Sequence, residues 1–512
     1  VSRARARGLS ISPRDVFQHK TVVGLATVAG AVSGEPVAVS DAGEGMVELM
    51  PIVHWLSGVQ GPIDRFSQSV LLQVPGGLSE EHLVEAMRAV VGHHDALRMR
   101  LLDEGERWQL EVLPGADVSP SLRRVDVCGL TDEALRRVIA EESEDALRRL
   151  APRSGVMTQV VWFDAGPDVS GRLLLTMHHL MVDGVSWRVL LPDLFAAWQA
   201  VSGGVQPVLQ SVGTSLRRWA RLLSYRALAP SVAEHLPTWQ AMFAGDDPLV
   251  GREALQPGRD TAATARRLAM SLAADRTEPL LTTVPAAFHA TVNDVLLTAL
   301  ALAFGQWGRR RGRSVGDVLL DLEGHGREDV FDDVDLSRTV GWFTTMFPVR
   351  LHAGDVTQDD LSSASPVVGR ALKRVKEQLR AVPHNGLSYG LLRYMNPETR
   401  QVLEQMPVPQ VLFNYLGRFG AGSGSEQWSP AVEADEVVAG VDLQMPLSHV
   451  VDINAVTFDT ADGPSLTVSW SWADHVLSED DVRELAEEWF KALDSLTRHA
   501  TNPESGGHTP SD

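Results

Sequence analysis

The sequence holds one cysteine, Cys128, in 512 residues. That excludes an internal disulfide and any Cys-rich metal site, fits a reducing compartment, and leaves Cys128 as a small buried apolar residue rather than a nucleophile. Positive charge is also short. Against 66 Asp and Glu stand 46 Lys and Arg, a formal net charge of −20, which repels nucleic-acid phosphates and anionic membranes and argues against either as a partner. No apolar run approaches the roughly 18 to 20 residues that span a bilayer, and no charged start followed by an apolar stretch resembles a signal peptide. A cytoplasmic protein is expected. His449, Asp452 and His475 lack metal-ligand spacing, so no metal is expected.

What is present is apolar enough, at 44% hydrophobic residues, to build more than one core. Residues 1–30 lack an initiator Met and open inside a helical pattern; Ser12 before Pro13 and Thr21 are suited to cap two short helices. Residues 31–46 are rich in Gly, Ser, Ala and acid without apolar period, and read as a linker. From Val47 helix and strand alternate, as in an α/β domain. Strands are expected at 69–75, 97–101, 157–163 and 171–179, with a helix between the first two that carries Leu83, Met87, Val90 and Val91 on one face, and helices at 131–150 and 186–200. After a helical bridge at about 215–245 the order is echoed. Strands are expected at 265–274, 317–323, 340–351, 409–417, 448–457 and 465–472, and helices at 291–307, 365–381 and 478–496. Two similar halves, 47–220 and 221–500, follow, with 501–512 as a disordered tail.

The chemistry-bearing stretch is "HHLMVDGVSW", residues 178–187, where an apolar strand gives way to a helix. Successive strand residues point to opposite faces, so His178 and His179 cannot share one job: one turns to the core, the other to the space beyond the strand end. Asp183 is suited to hold the loop by a buried ion pair, with Arg98 or Arg100 as partner, and Gly184 frees the backbone where the helix begins. Another pair, His93-His94-Asp95, lies at a helix end without the Gly turn.

The pattern His-His-x-x-x-Asp-Gly resembles the signature of the condensation superfamily of nonribosomal peptide synthetases, and its "VDGVSWRVLLPDL" extension resembles the epimerization branch. "MPIVHWL" (50–56), "EGHGRED" (323–329), "DLSRTVGWFTTMFPV" (335–349), "NGLSYGLLRY" (385–394) and "VLFNYLGRF" (411–419) agree, in the expected order. The resemblance implies two chloramphenicol-acetyltransferase-like lobes in a V-shaped pseudo-dimer with the site in a tunnel between them. It makes residues 1–30 the last part of a peptidyl carrier domain, without the Gly-Gly-Asp-Ser segment that carries the arm. It also implies the reaction: epimerization of an L-aminoacyl or L-peptidyl thioester held on the carrier's 4'-phosphopantetheine, with that carrier and other synthetase modules as partners and no cofactor on the domain itself. His179 and Glu323 would exchange the α-proton, with His178, Asp183, Gly184, Asn414 and Tyr415 supporting, and the helix start after Gly184 facing the enolate oxygen. Tyr415 with Phe413 can equally be strand packing. Trp342 and Phe343 read as core, Ser388 and Tyr389 as tunnel wall or turn, and His325 as a loop brace. A peptide-bond-forming acyltransferase and a non-catalytic recruiting module are the alternatives.

Overall fold

The computed structural model describes residues 9–10, 26–27, 29–31, 43–103, 107–115, 121–245, 253–312, 317–420, 427–502 and 505–512. Most of the expected carrier remnant and linker lies outside these. Within them β1 (Leu9–Ser10) pairs with β2 (Gly30–Ala31), and β3 (Gly45–Val47) already belongs to the main body, in a small sheet of order β3-β6-β5 with β5 (Met99–Asp103) and β6 (Trp108–Val112).

The first half is built on a four-stranded sheet, β4 (Ser67–Val74), β9 (Gly171–His178), β8 (Thr158–Asp164) and β7 (Leu122–Asp126), in that order. Helices α1 (Pro51–Val59), α2 (Glu80–His93), α3 (Asp132–Arg148) and α4 (Gly184–Ser202) surround it. Their starts follow from local chemistry. The Ser79 and Thr131 side chains cap α2 and α3, and Asp183 with Ser186 forms a reciprocal capping box on α4, satisfying N–H groups that a helix start leaves unpaired.

The second half carries a six-stranded sheet of order β10-β15-β14-β13-β11-β12: β10 (Ala265–Leu272), β11 (Asp317–Gly324), β12 (Thr345–His352), β13 (Val411–Phe419), β14 (Val451–Thr460) and β15 (Gly463–Ala473). The echo read in the sequence is real in topology. Along β4-β9-β8-β7 the pairings run antiparallel, antiparallel, parallel, and β10-β15-β14-β13 repeats that series. Helices α6 (Val292–Arg310), α7 (Pro366–Arg380) and α8 (Glu479–Ala500) cover one face of this sheet, and α5 (Leu216–Ala227) lies in the bridge between the halves. Trp489 of α8 meets Phe413 and Trp470 of that face. No single helix among the described residues is long and apolar enough to cross a membrane.

Three expectations need correction. The 340–351 stretch becomes a strand only at Thr345, because Gly341 and Phe343 spend backbone groups on Ser186 and Asp183 rather than on a neighbouring strand. Cys128 is exposed, placed beyond the edge strand β7 by a turn that Asp126 closes on its backbone N–H. The expected tail is docked: the Gly507 N–H donates to Ala287 O (3.0 Å), and Asp512 pairs with Lys376, whose ammonium is otherwise buried.

The halves also exchange chain. Residues 428–440 leave the second half and run along β4: the Gln73 N–H donates to Ser429 O (2.8 Å), Ala431 N–H to Leu71 O (3.0 Å) and Ser67 N–H to Gly440 O (2.9 Å). Glu433 in this strap takes a bidentate pair from Arg172 (2.7 and 2.9 Å), and Glu436 accepts from Arg136 of α3 (3.0 Å).

Candidate active site

β9 ends at His178, one residue short of the expected strand, and a single turn of 3-10 helix carries His179, so the two imidazoles part company at the strand end rather than across the pleat. His178 is fully buried. Its Nδ1 accepts from the Leu180 N–H (3.2 Å) and its Nε2 donates to Ile63 O (2.8 Å); burial holds the ring near pKa 4, so it is a neutral strut.

His179 is half-buried, stacked on Phe66 (4.9 Å between centroids) and against Trp342 (4.6 Å). Its Nε2 lies 3.0 Å from the side-chain nitrogen of Gln68. The Trp187 indole can only donate, and it meets Gln68 Oε1 at 2.8 Å. Gln68 therefore turns its NH2 to the ring, so Nε2 of His179 is an acceptor and the proton resides on Nδ1. Burial lowers its pKa as well. Gln68 was not singled out in the sequence; its place opposite Met177 in the β4–β9 ladder is what aims it.

Asp183 does hold the loop, but neither Arg98 nor Arg100 is its partner. Arg98 is committed to the carbonyls of Val91, Gly92 and Leu113, and Arg100 to Glu111 across the β5–β6 pair. The partner is Arg327 of "EGHGRED", from the other half, at 2.6 and 3.1 Å. Arg327 also stacks over the Phe343 ring (4.1 Å). Gly326 makes this possible: at φ +68° its Cα lies so near Phe343 O that a Cβ would sit 1.7 Å away. Gly184, by contrast, has no positive φ and open space where a Cβ would stand. Nor is the α4 start open to an enolate oxygen as expected, since the Asp183 carboxylate already sits there and takes the Ser186 N–H (2.8 Å).

Glu323 stands at the end of β11. Asn414 Nδ2 donates to its Oε2 at 2.7 Å, and Tyr415, the residue after Asn414 on β13, bonds Thr457 through its hydroxyl (3.1 Å). Burial, reinforced by the negative charge of Asp452 and Asp321 and opposed by His449, raises the Glu323 carboxyl to about 7. Two routes tie it to His179. Glu323 is paired with Met346 across β11–β12, four residues from the Trp342 that touches His179, and the loop leaving Glu323 delivers Arg327 to Asp183.

The other motif residues are supports. Trp342 and Phe343 are buried as expected, though Trp342 is also a wall of the imidazole. Ser388 is fully buried, accepting from Trp239 (3.1 Å), so it does not line an open space; Tyr389 packs on Trp239. His325 accepts the Arg327 N–H (3.0 Å) and braces the loop. His93 and His94 gather with Asp193, whose two carboxylate oxygens accept from one nitrogen of Arg338 (2.6 and 2.5 Å). His449, which with Asp452 and His475 lacks ligand spacing, meets Asp321 (2.9 Å) and Asp452 (3.6 Å) on the strands beside Glu323.

Comparison with known proteins places this geometry. A linear gramicidin synthase of Brevibacillus parabrevis is 34% identical over 523 residues, which cover all of this chain and 10% of that protein. The chondramide synthase cmdD of Chondromyces crocatus is 34% identical over 519 residues, 99% of this chain and 12% of that protein. The chain thus spans about a tenth of the length of these relatives. Among solved structures, the epimerization domain from the third module of tyrocidine synthetase B superposes with a TM-score of 0.77 at 26% identity, over 89% of this chain and 97% of that one. The condensation domain of the Monacolin K polyketide synthase MokA shares the fold, at TM-score 0.62 and 17% identity over 90% of this chain and 98% of that one. The model of the condensation domain family matches residues 57–512, and the chain belongs to that family.

Proposed function

We propose that this domain epimerizes an aminoacyl or peptidyl thioester presented on the phosphopantetheine arm of a peptidyl carrier domain. The observation that carries the reading is Glu323, a carboxyl raised to about 7 by burial and linked through Arg327 and Trp342 to the His179 turn. A general acid–base works best when its proton affinity matches the working pH. The reaction needs little else. One group takes the α-proton, the C–H electrons pass to the thioester oxygen as an enolate, and the second group returns a proton to the opposite face of the carbon. Glu323, steadied by Asn414, and His179 are the two groups; whichever takes the α-proton as base, the other must already hold one to return, Glu323 as the carboxylic acid or His179 as the imidazolium. The likeness to the tyrocidine epimerization domain, together with "EGHGRED" and "FNYLG", supports this reading over peptide-bond formation.

The test is to supply an intact carrier loaded with an L-aminoacyl thioester in deuterated water and follow chirality and α-deuterium in the released product. Deuterium with inversion is expected, lost in Glu323→Gln. A free amino acid should be inert, because its α-proton is far less acidic and its own carboxylate would stand beside Glu323. Wash-in by Glu323→Gln at the parent rate, or racemization of free amino acid, would refute the reading.

A further inference from the structure

Beneath Glu323 lies a set of buried ionisable groups that the reaction as derived leaves idle. Side chains alternate along a strand, so Asp321 shares the face of Glu323. The register extends that face sideways: Asp321 pairs with Leu412 and Leu412 with Asp452. One rung along come Glu323, its donor Asn414, and Asn454 paired with Asn414. This is the face turned away from Trp489. His449, just ahead of β14, fits between the two aspartates, with Nε2 2.9 Å from Asp321 Oδ2 and Nδ1 3.6 Å from Asp452 Oδ1. The imidazole is 1% exposed. On its Asp452 side neither Nδ1 nor Oδ1 has a hydrogen bond, an unmet pair that a purely structural strut would close.

The charges in this set act on one another. Burial works against a charged His449, but the bond to Asp321 and the negative fields of Asp321, Asp452 and Glu323 outweigh it, and its pKa is raised. Burial raises Asp452, opposed by His449. From the segment 387–395 Tyr389, Tyr394 and Arg393 also bear on this region, the two tyrosines through Asp321. Glu323, Asp452 and His449 each feel the charge of another of the three, so their titrations are coupled.

We infer that His449, held between Asp321 and Asp452, is a positioning residue that governs, through its charge, how readily Glu323 gives up and takes back a proton. This rests on the reading of Glu323 as an α-carbon acid–base. A cation at His449 favours the Glu323 carboxylate; an anion at Asp452 favours the acid. The two neighbours pull in opposite directions, so they leave a signature that a packing role cannot.

The experiment compares the parent with His449→Asn and Asp452→Asn. The proton affinity of Glu323 is read by isotope-edited infrared titration of its carboxyl stretch on the unliganded chain, with Glu323→Gln assigning the band. His449→Asn should raise that affinity and Asp452→Asn should lower it, each on the order of tenfold for a charge at this range. The acid limb of α-deuterium wash-in from a loaded carrier should move the same two ways. Coincident titrations in all three proteins would overturn the inference, as would displacement in one common direction. If His449→Asn does not fold, the direction in Asp452→Asn decides. Absence of wash-in by the parent would count against the epimerization reading alone, because the infrared titration needs no substrate.

Discussion

Breaking the Asp183–Arg327 pair should loosen the joint between the halves. The side chains are 5% and 8% exposed, so removing one leaves the other as an uncompensated buried charge, a change that destabilises by about 3 to 5 kcal/mol. Asp183→Ala also removes the α4 cap, worth about 1 kcal/mol, and the acceptor of the Phe343 N–H (3.1 Å). These losses overlap, so the single variant should fall by about 4 kcal/mol. Arg327→Ala should lose a similar amount, including its stacking on Phe343. The double variant should not lose their sum, because neither charge is then stranded; a coupling of about 2 to 3 kcal/mol is expected, within the range for directly contacting residues. The assay is urea denaturation of parent, singles and double at one pH, with hydrogen exchange of residues 183–190 and 339–343 to locate the opening. Losses that simply add, to within about 0.5 kcal/mol, would show that the pair does not couple the halves.

Two further outcomes follow from the site. His178→Ala should lower stability by about 1 to 3 kcal/mol, since it leaves the Leu180 N–H buried without a partner and takes from Ile63 O one of its two donors, the Phe66 N–H remaining, whereas His179→Ala should mainly lower turnover; equal loss of Tm and of activity in both would end that division. Glu323 binds its proton more tightly folded, at about 7, than at its ordinary 4.5, so between those values the folded state holds more protons and stability declines as pH rises. Glu323→Gln should therefore melt above the parent near pH 8 and lose that advantage near pH 4.5, by thermal melts across the range; an advantage independent of pH would refute it.

The parts of this fold legible in the sequence are those set by neighbours along the chain. The helices read at 131–150 and 186–200 show in their apolar period because one face of a helix is set by near neighbours, and the strands read at 171–179 and from 317 show as apolar runs that give way to polar turns. What escaped was set by register between strands distant in sequence. Gln68 meets His179 only because β4 pairs with β9, and Asp321 meets His449 only because β11, β13 and β14 lie side by side. Arg327 was hidden for a different reason: an aspartate in need of a cation does not say which arginine can reach it.

The strap at 428–440 has a consequence for how the chain is made. Gln73 and Ser429 lie 356 positions apart (429 − 73). At about 5 to 20 residues per second, β4 would wait roughly 18 to 70 s on the ribosome with this edge unpaired. An open strand edge is a template for pairing with other chains, so this is the interval in which the nascent protein is exposed to aggregation. Closing the edge with sequence from the far half makes completion of the first sheet depend on most of the second half having emerged.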